Sequence, residues 1–291
     1  MIKRLLCLLS VLLLLLTGCS QAARGPMQQV FVDEDAEGFY KDSVIGGNTV
    51  SVVSYNVRCC DDPNGNSIKE RAPRLEKAVK KYDPDLIGMQ EFVPAWDSYT
   101  KKIFSDDYDY IINYRCKDNY EGTPIFWKRA KFKLLDHGVF WLSETPDQES
   151  LGWDADYYRI CAWVKLQVRA TGKVFYYYNT HFDYTEPPQE PSALLMAERV
   201  VTDTPAIVTG DFNMEPDSKG YAAMTKAFTD ANTQNDATAT FTSYGDPETN
   251  KRLDYVFVRN AATQNYKVMT EMPGGNYVSD HFGVYSEVIL T

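Results

Sequence analysis

An α/β fold is predicted by short apolar runs alternating with helical periodicities along the 291-residue chain, and by polar residues gathering where those runs stop. A hydrophobic fraction of 44% with 24% charged residues can fill a large core, and sets aside disordered, collagenous and polytopic membrane classes. Residues 50–57 are rich in β-branched side chains and read as a strand. Leu75, Ala78, Val79 and Tyr82 then fall at i, i+3, i+4 and i+7, one face of a helix that ends before Pro84. Residues 85–89 form a short buried strand delivering Gln90 and Glu91 at its end. The same grammar returns with a strand at 175–180 ending at His181, a helix at 193–201, and a strand at 206–209 running into Gly210-Asp211-Phe212-Asn213. A final strand covers 282–290. In open α/β sheets, such strand ends are where ligand sites form.

The N-terminus stands apart from this pattern. Lys3 and Arg4 precede an apolar run from Leu5 to Leu16 that is too short to cross a bilayer and reads as a signal segment. Leu16-Thr17-Gly18-Cys19 resembles the bacterial lipobox, which implies cleavage before Cys19 and lipidation of its thiol. Expected boundaries are therefore a signal peptide at 1–18, a lipidated tether at 19–47 closed by the Gly46-Gly47 break, and one domain at 48–291. The domain is expected to be exported and anchored to a bacterial membrane, at the periplasmic face or cell surface, without spanning it. Lys+Arg 30 against Asp+Glu 40 gives −10, and 28 against 40, or −12, once Lys3 and Arg4 are removed. Diffuse attraction to a nucleic-acid backbone is not the design, so no extended nucleic-acid surface is expected, and phosphate binding would be local and helped by a metal. A monomer is expected.

Five strand ends carry chemistry: Asn56, Glu91, His181, then Asp211 with Asn213, and Ser279-Asp280-His281 before the last strand. Carboxylates, amides and two of the chain's three histidines at such places suit a hard cation and phosphoryl transfer. No zinc-type cysteine or histidine spacing is present. Ser54-Tyr55-Asn56-Val57, Gln90-Glu91, Asn179-Thr180-His181-Phe182-Asp183, Gly210-Asp211-Phe212-Asn213, Leu253-Asp254-Tyr255 and Ser279-Asp280-His281 together resemble the endonuclease/exonuclease/phosphatase family, in that family's order.

This resemblance implies a four-layer α/β sandwich, with two mixed sheets packed face to face and flanked by helices. It also implies a Mg²⁺- or Mn²⁺-dependent hydrolase of phosphodiesters or phosphomonoesters, working by in-line attack of water. Glu91 would be the principal metal carboxylate, with Asn56 beside it holding the ion or a phosphate oxygen, and Asp280 joining the ligand or water shell. Asp211 would position or deprotonate the water, with Asn213 orienting Asp211 or the phosphate. His281 would contact the phosphoryl group or move a proton, its tautomer fixed by Asp254, while His181 would donate to developing charge. Arg159 resembles the family's central-strand polar residue and could clamp phosphate; the alternative is a surface ion pair. Arg58 stands where nuclease members often carry an acid, which weakens a DNA-repair reading.

A nuclease of the same family and a catalytically silent surface-binding lipoprotein remain alternatives. A glycosidase would not need His181, Asn213, Asp254 and His281 as a set. Trp96, Tyr99, Tyr114, Tyr120, Trp153, Tyr157, Tyr158 and Tyr184 could wall a pocket or simply pack. Residues 61–66 read as a loop that shapes the mouth or as a plain loop. His137, in Leu135-Asp136-His137-Gly138, reads as a turn residue. Cys59, Cys60, Cys116 and Cys161 would meet an oxidising route, where Cys116 could pair with Cys59 or Cys60 or all could stay free; spacing does not choose.

Overall fold

In the computed structural model, residues 27–33 and 47–291 are described; the signal segment, Cys19 and most of the expected tether lie outside them. The strands are β1 (Gln28–Phe31), β2 (Thr49–Asn56), β3 (Leu86–Gln90), β4 (Tyr108–Cys116), β5 (Asn119–Gly122), β6 (Ile125–Lys128), β7 (Phe132–Trp141), β8 (Ile160–Val168), β9 (Val174–His181), β10 (Ala206–Asp211), β11 (Thr229–Asp230), β12 (Asp254–Arg259), β13 (Ala261–Met269) and β14 (Gly283–Leu290). The helices are α1 (Ile68–Tyr82), α2 (Pro94–Phe104), α3 (Gln189–Arg199) and α4 (Lys219–Ala227). One sheet runs β1-β4-β6-β3-β2-β14-β13, with β5 paired to β4, and the other runs β11-β12-β10-β9-β8-β7. Only β2 with β3 and β9 with β10 are parallel among these pairs, so both sheets are mixed as expected.

Period-2 alternation sorts each strand between two cores. From β2, Val50 and Val52 face inward with Leu86, Trp127, Val164, Phe175, Tyr177, Ile207 and Val256, forming the apolar seam between the sheets. Its neighbours Val53 and Tyr55 face outward and pack with Leu75 and Val79 of α1 and Trp96 of α2. Across the molecule, Val208, Tyr178 and Phe257 pack with Ala193 and Met196 of α3 and Met224 of α4. These are the four layers of the sandwich. Each buried aliphatic or aromatic side chain contributes roughly 1.5–3 kcal/mol, which is why the layers hold without a disulfide among the described residues.

The inner-face ladders change from apolar to polar along their length. Val50-Val52 continues in register to Ser54 and Asn56, Leu86 to Gln90, Phe175-Tyr177 to Asn179 and His181, and Ile207 to Thr209 and Asp211; antiparallel β12 starts at Asp254 and becomes apolar at Val256 and Val258. Strand register sets Asp211 opposite both His181 and Asp254. The seam therefore ends in a polar mouth. Just below it, Gln90 Nε2 donates to Asn179 Oδ1 at 2.7 Å, and Asn179 Nδ2 donates to Met89 O at 2.7 Å, tying sheet to sheet. Gly88 permits this approach: a Cβ there would sit 2.5 Å from Tyr177 Oη and 2.6 Å from both Asn179 Oδ1 and Thr209 Oγ1.

Two expectations change, and one open alternative is decided. Residues 28–31, expected to be tether, add an antiparallel edge strand to β4. His137 lies within β7 opposite Val164, not in a turn, because Gly138 leaves room for the Trp163 ring rather than bending the chain. All four described cysteines are free; Cys59 Sγ lies 3.1 Å from Cys60 Sγ, and Cys116 is buried on β4. The first helix also begins earlier than its apolar face suggests, at the Ser67–Glu70 capping box.

Candidate active site

Side chains from both sheets converge at the polar end of the seam. Asn56 bridges the acids, its Nδ2 donating to Glu91 Oε1 at 3.0 Å and to Asp211 Oδ2 at 2.9 Å, while its Oδ1 accepts the Arg58 amide. Turned this way, Asn56 presents its nitrogen rather than its oxygen to the acids. Glu91 Oε2 also accepts the Cys59 amide at 3.0 Å. Arg58, Glu91 and Asn213 adopt left-handed backbone at φ 61, 55 and 50. Such conformations cost about 1–3 kcal/mol each and persist only where surrounding contacts impose them. The Arg58 segment is imposed by Arg71 of α1, which is buried and donates to the carbonyls of Val57, Arg58 and Cys60, and by Trp96 Nε1, which donates to Arg58 O at 3.0 Å.

Asp211 occupies the centre. Its Oδ1 accepts the Asn213 amide at 2.9 Å, and its Oδ2 lies 3.6 Å from His181 Nε2 and 3.7 Å from His281 Nε2. His281 Nδ1 pairs with Asp254 Oδ2 at 2.8 Å, which leaves Nε2 aimed at Asp211. Burial would lower the His281 pKa, but Asp254 and Asp211 outweigh it and push it up to about 10. Asp254 itself is raised by burial and by Asp211, against the pull of His281. Asn213 Nδ2 stands 3.2 Å from His181 Nε2 and donates to Phe182 O at 3.1 Å, so it fixes the imidazole as well as flanking Asp211.

Arg159 is buried rather than a surface ion pair. Its Nε donates to Asp183 Oδ2 at 3.4 Å, and its Nη1 lies 3.7 Å from Glu121 Oε1. Glu121, which the sequence reading did not single out, also receives Arg115 Nη1 at 2.9 Å and faces His181 Nδ1 at 3.4 Å. Burial would raise its pKa, but His181, Arg115 and Arg159 hold it below the usual carboxylate range. The only signal for Glu121 was a carboxylate in an unremarkable Asn119-Tyr120-Glu121-Gly122, whose importance depends on β5 folding back along β4. Arg159 Nη1, His181 Nδ1 and Asp254 Oδ1 are buried at the site without a hydrogen-bond partner, three groups that a bound ligand could satisfy.

Two oxygen-rich places could hold a cation. Glu91 and Asp280 flank the Arg58 guanidinium, Nη1 lying 3.8 Å from Glu91 Oε2 and Nε 3.6 Å from Asp280 Oδ2. Burial and Glu91 raise the Asp280 pKa, whereas Glu91, although desolvated in its half-buried place, is held at about 2 by His181, the Cys59 amide, His281 and Asn56. A fixed Glu91 carboxylate beside a second, desolvated acid is a donor set that suits Mg²⁺ or Mn²⁺. Asp211, Asp254 and His281 also offer ligand atoms within 4.8 Å of one another. There a cation would have to break the 2.8 Å Asp254–His281 bond, whereas at the Glu91–Asp280 end it would displace only the looser 3.6 and 3.8 Å contacts of Arg58, whose close partner is Asp62 at 2.9 Å, so that end fits better.

A family model described as "Endonuclease/Exonuclease/phosphatase family" matches residues 53–281. The structure resembles a mannosyl-6-phosphatase of Bacteroides thetaiotaomicron at a TM-score of 0.74 and 30% identity, covering 83% of this chain and 100% of that one. Tyrosyl-DNA phosphodiesterase 2 of Danio rerio is 22% identical over 284 residues, spanning 87% of this chain and 70% of that protein. An uncharacterized protein of Acanthamoeba polyphaga mimivirus is 29% identical over 159 residues, 50% of this chain and 59% of the viral protein's length.

Proposed function

Because the chain belongs to the endonuclease/exonuclease/phosphatase family, whose members hydrolyse phosphoesters, we propose that it is a metal-dependent phosphoester hydrolase acting through direct attack of water. The observation that carries this reading is Asp211, buried at the meeting point of the sheets and faced by two histidines at 3.6 and 3.7 Å. Asp211 accepts the proton of a water aligned with the phosphorus. His281, held by Asp254, donates from Nε2, and His181, whose Nε2 accepts from Asn213 Nδ2, donates from its unpartnered Nδ1 to the phosphoryl oxygens as charge builds on them. Arg159 Nη1, lacking a hydrogen-bond partner, supplies a further donor for phosphate. A divalent ion held by Glu91 and Asp280 would polarise the phosphate and steady the leaving oxygen.

A small phosphomonoester suits the site better than a nucleic-acid backbone. A net charge of −10 works against a broad phosphate-tracking surface, and the mannosyl-6-phosphatase at 30% identity is named for a sugar ester. Lipidation at Cys19 would hold the domain on an exported membrane face, and Leu16-Thr17-Gly18-Cys19 supports it. The test is hydrolysis by residues 20–291 across phosphomonoesters, phosphodiesters, phospholipids and oligonucleotides, with Mg²⁺, Mn²⁺ or chelator. Metal-dependent cleavage of small monoesters is expected. Exclusive cleavage of oligonucleotides would make the protein a nuclease, and folded, metal-loaded protein that cleaves nothing would make it a binding protein.

A further inference from the structure

Most aromatic residues near the motifs are spent on packing. Trp96 and Tyr114 are buried, and Tyr99 and Tyr120 lie against the same outer core. Tyr157 and Tyr184 are different: they are 43% and 56% exposed and join none of the cores. Leaving large rings in water is unfavourable, yet both are held in place. Tyr157 precedes β8 and Tyr184 follows β9, on the sheet edge that carries His181. The Tyr157 amide donates to Asp183 Oδ2 at 3.0 Å, the same oxygen that receives Arg159 Nε. The guanidinium carbons of Arg115 and Arg159 lie 4.8 and 5.4 Å from the centroid of the Tyr157 ring. Tyr184 stands 6.0 Å from Tyr157, tilted by 51°, and its hydroxyl donates to Asp156 Oδ2.

These contacts connect the exposed rings to the reacting end of the site. Arg159 is 6% exposed, and its unpartnered Nη1 reaches toward Glu121, which faces His181, which faces Asp211. We propose that Tyr157 and Tyr184 form the leaving-group subsite, taking the ring of a hexose phosphate whose phosphate lies at Asp211 and His181. This rests on the phosphoester-hydrolase reading and deepens it by naming the class of substrate.

The shape and charge of the corner select this ring. Sandwiching a planar base between two rings requires near-parallel faces about 7 Å apart, twice a carbon contact distance. At 6.0 Å and 51° there is no such slot. A saturated sugar ring presents C–H groups on its faces and edges, so it can lie across tilted rings while its hydroxyls reach the Asp156 carboxylate and water. Asp154, Asp156 and Glu186 are exposed around the tyrosines, an acidic rim that repels a second phosphate and tolerates a neutral leaving group.

The test compares kcat/KM for glucose 6-phosphate, glycerol 3-phosphate and adenosine 5′-monophosphate, with Mn²⁺, in wild type, Tyr184→Ala and Tyr184→Phe. Wild type should favour the hexose ester. Tyr184→Ala should lower the hexose-to-glycerol ratio of kcat/KM at least tenfold, chiefly through KM, and Tyr184→Phe, which keeps the ring, should hold that ratio within threefold of wild type. An equal loss on hexose and glycerol esters in Tyr184→Ala would make the ring a structural element and overturn the proposal. So would a wild-type preference for the nucleotide that Tyr184→Ala abolishes. If wild type cleaves none of the three, the hydrolase reading fails on these esters and the subsite falls with it, an outcome distinct from cleavage with an unchanged ratio.

Discussion

Replacing Asp211 with Asn keeps the shape of the side chain and removes its charge. Both Asp211 oxygens now accept, Oδ1 from the Asn213 amide at 2.9 Å and Oδ2 from Asn56 Nδ2 at 2.9 Å. An amide accepts through one oxygen only, so its NH₂ must face one of these two donors. One buried donor left unpaired costs about 1–3 kcal/mol of stability, which lowers Tm but leaves the protein folded. The effect on turnover is larger. Losing a positioned general base removes roughly 10²–10⁴ in rate, about 2.7–5.4 kcal/mol of barrier. The same change deletes one of the carboxylates that push the His281 pKa up to about 10, so that pKa should fall. The assay is initial rate at saturating substrate with Mn²⁺, paired with circular dichroism and a ring-carbon NMR titration of His281. A folded variant with kcat within tenfold of wild type would refute the assignment of Asp211 as the base.

Gly88→Ala should lower stability by about 1–3 kcal/mol, a Tm drop of roughly 3–10 °C, because the new methyl overlaps Tyr177, Asn179 and Thr209 across the seam; an unchanged Tm by calorimetry would show that the sheets are not closely apposed there. His281 has a folded pKa raised to about 10 from an ordinary 6.5, so its stabilising contribution is complete below the unfolded value and is lost as pH rises toward 10. Urea titrations of metal-free protein should therefore show wild type losing more stability than His281→Gln between about pH 6.5 and 10, and parallel curves would contradict the ion pair with Asp254. Glu121→Gln should cut kcat more than it raises KM and shift the pH–rate profile, since a neutral amide no longer balances Arg115, Arg159 and His181; a variant with the wild-type profile would make Glu121 only a packing residue.

Much of the site was legible because the strand period is two. Once residues 50–57, 175–180 and 206–209 are read as strands, Asn56 falls on the face of Val50 and Val52, and His181 and Asp211 continue the faces of Tyr177-Asn179 and Ile207-Thr209 just past the strand ends, so each ladder closes on a polar residue. Which strands neighbour one another was not legible from that pattern; the two-sheet arrangement came from the family motifs. Glu121 and β1 escaped for a related reason. β1 pairs with β4 far along the chain, which leaves little local trace, and Glu121 lies on a four-residue strand, turned back on β4 and bridged at Gly122 to Phe92, that is too short to show a period. His137 was misread because Gly138 looks like a turn signal when its role is to admit Trp163. Spacing could not decide the disulfide question; in the fold all four described cysteines are free, and the Cys59 thiol lies 3.1 Å from that of its own neighbour, Cys60.

The most direct measurement of where the cation acts is Mn²⁺ affinity by calorimetry for wild type, Glu91→Gln and Asp254→Asn at one pH, with turnover measured in parallel. Binding at the Glu91–Asp280 end should be weakened at least tenfold by Glu91→Gln and changed less than threefold by Asp254→Asn, although both variants lose turnover. Undiminished Mn²⁺ affinity in Glu91→Gln with loss in Asp254→Asn would move the metal to the Asp211–Asp254–His281 cluster and contradict the division of labour between metal end and water-activating end.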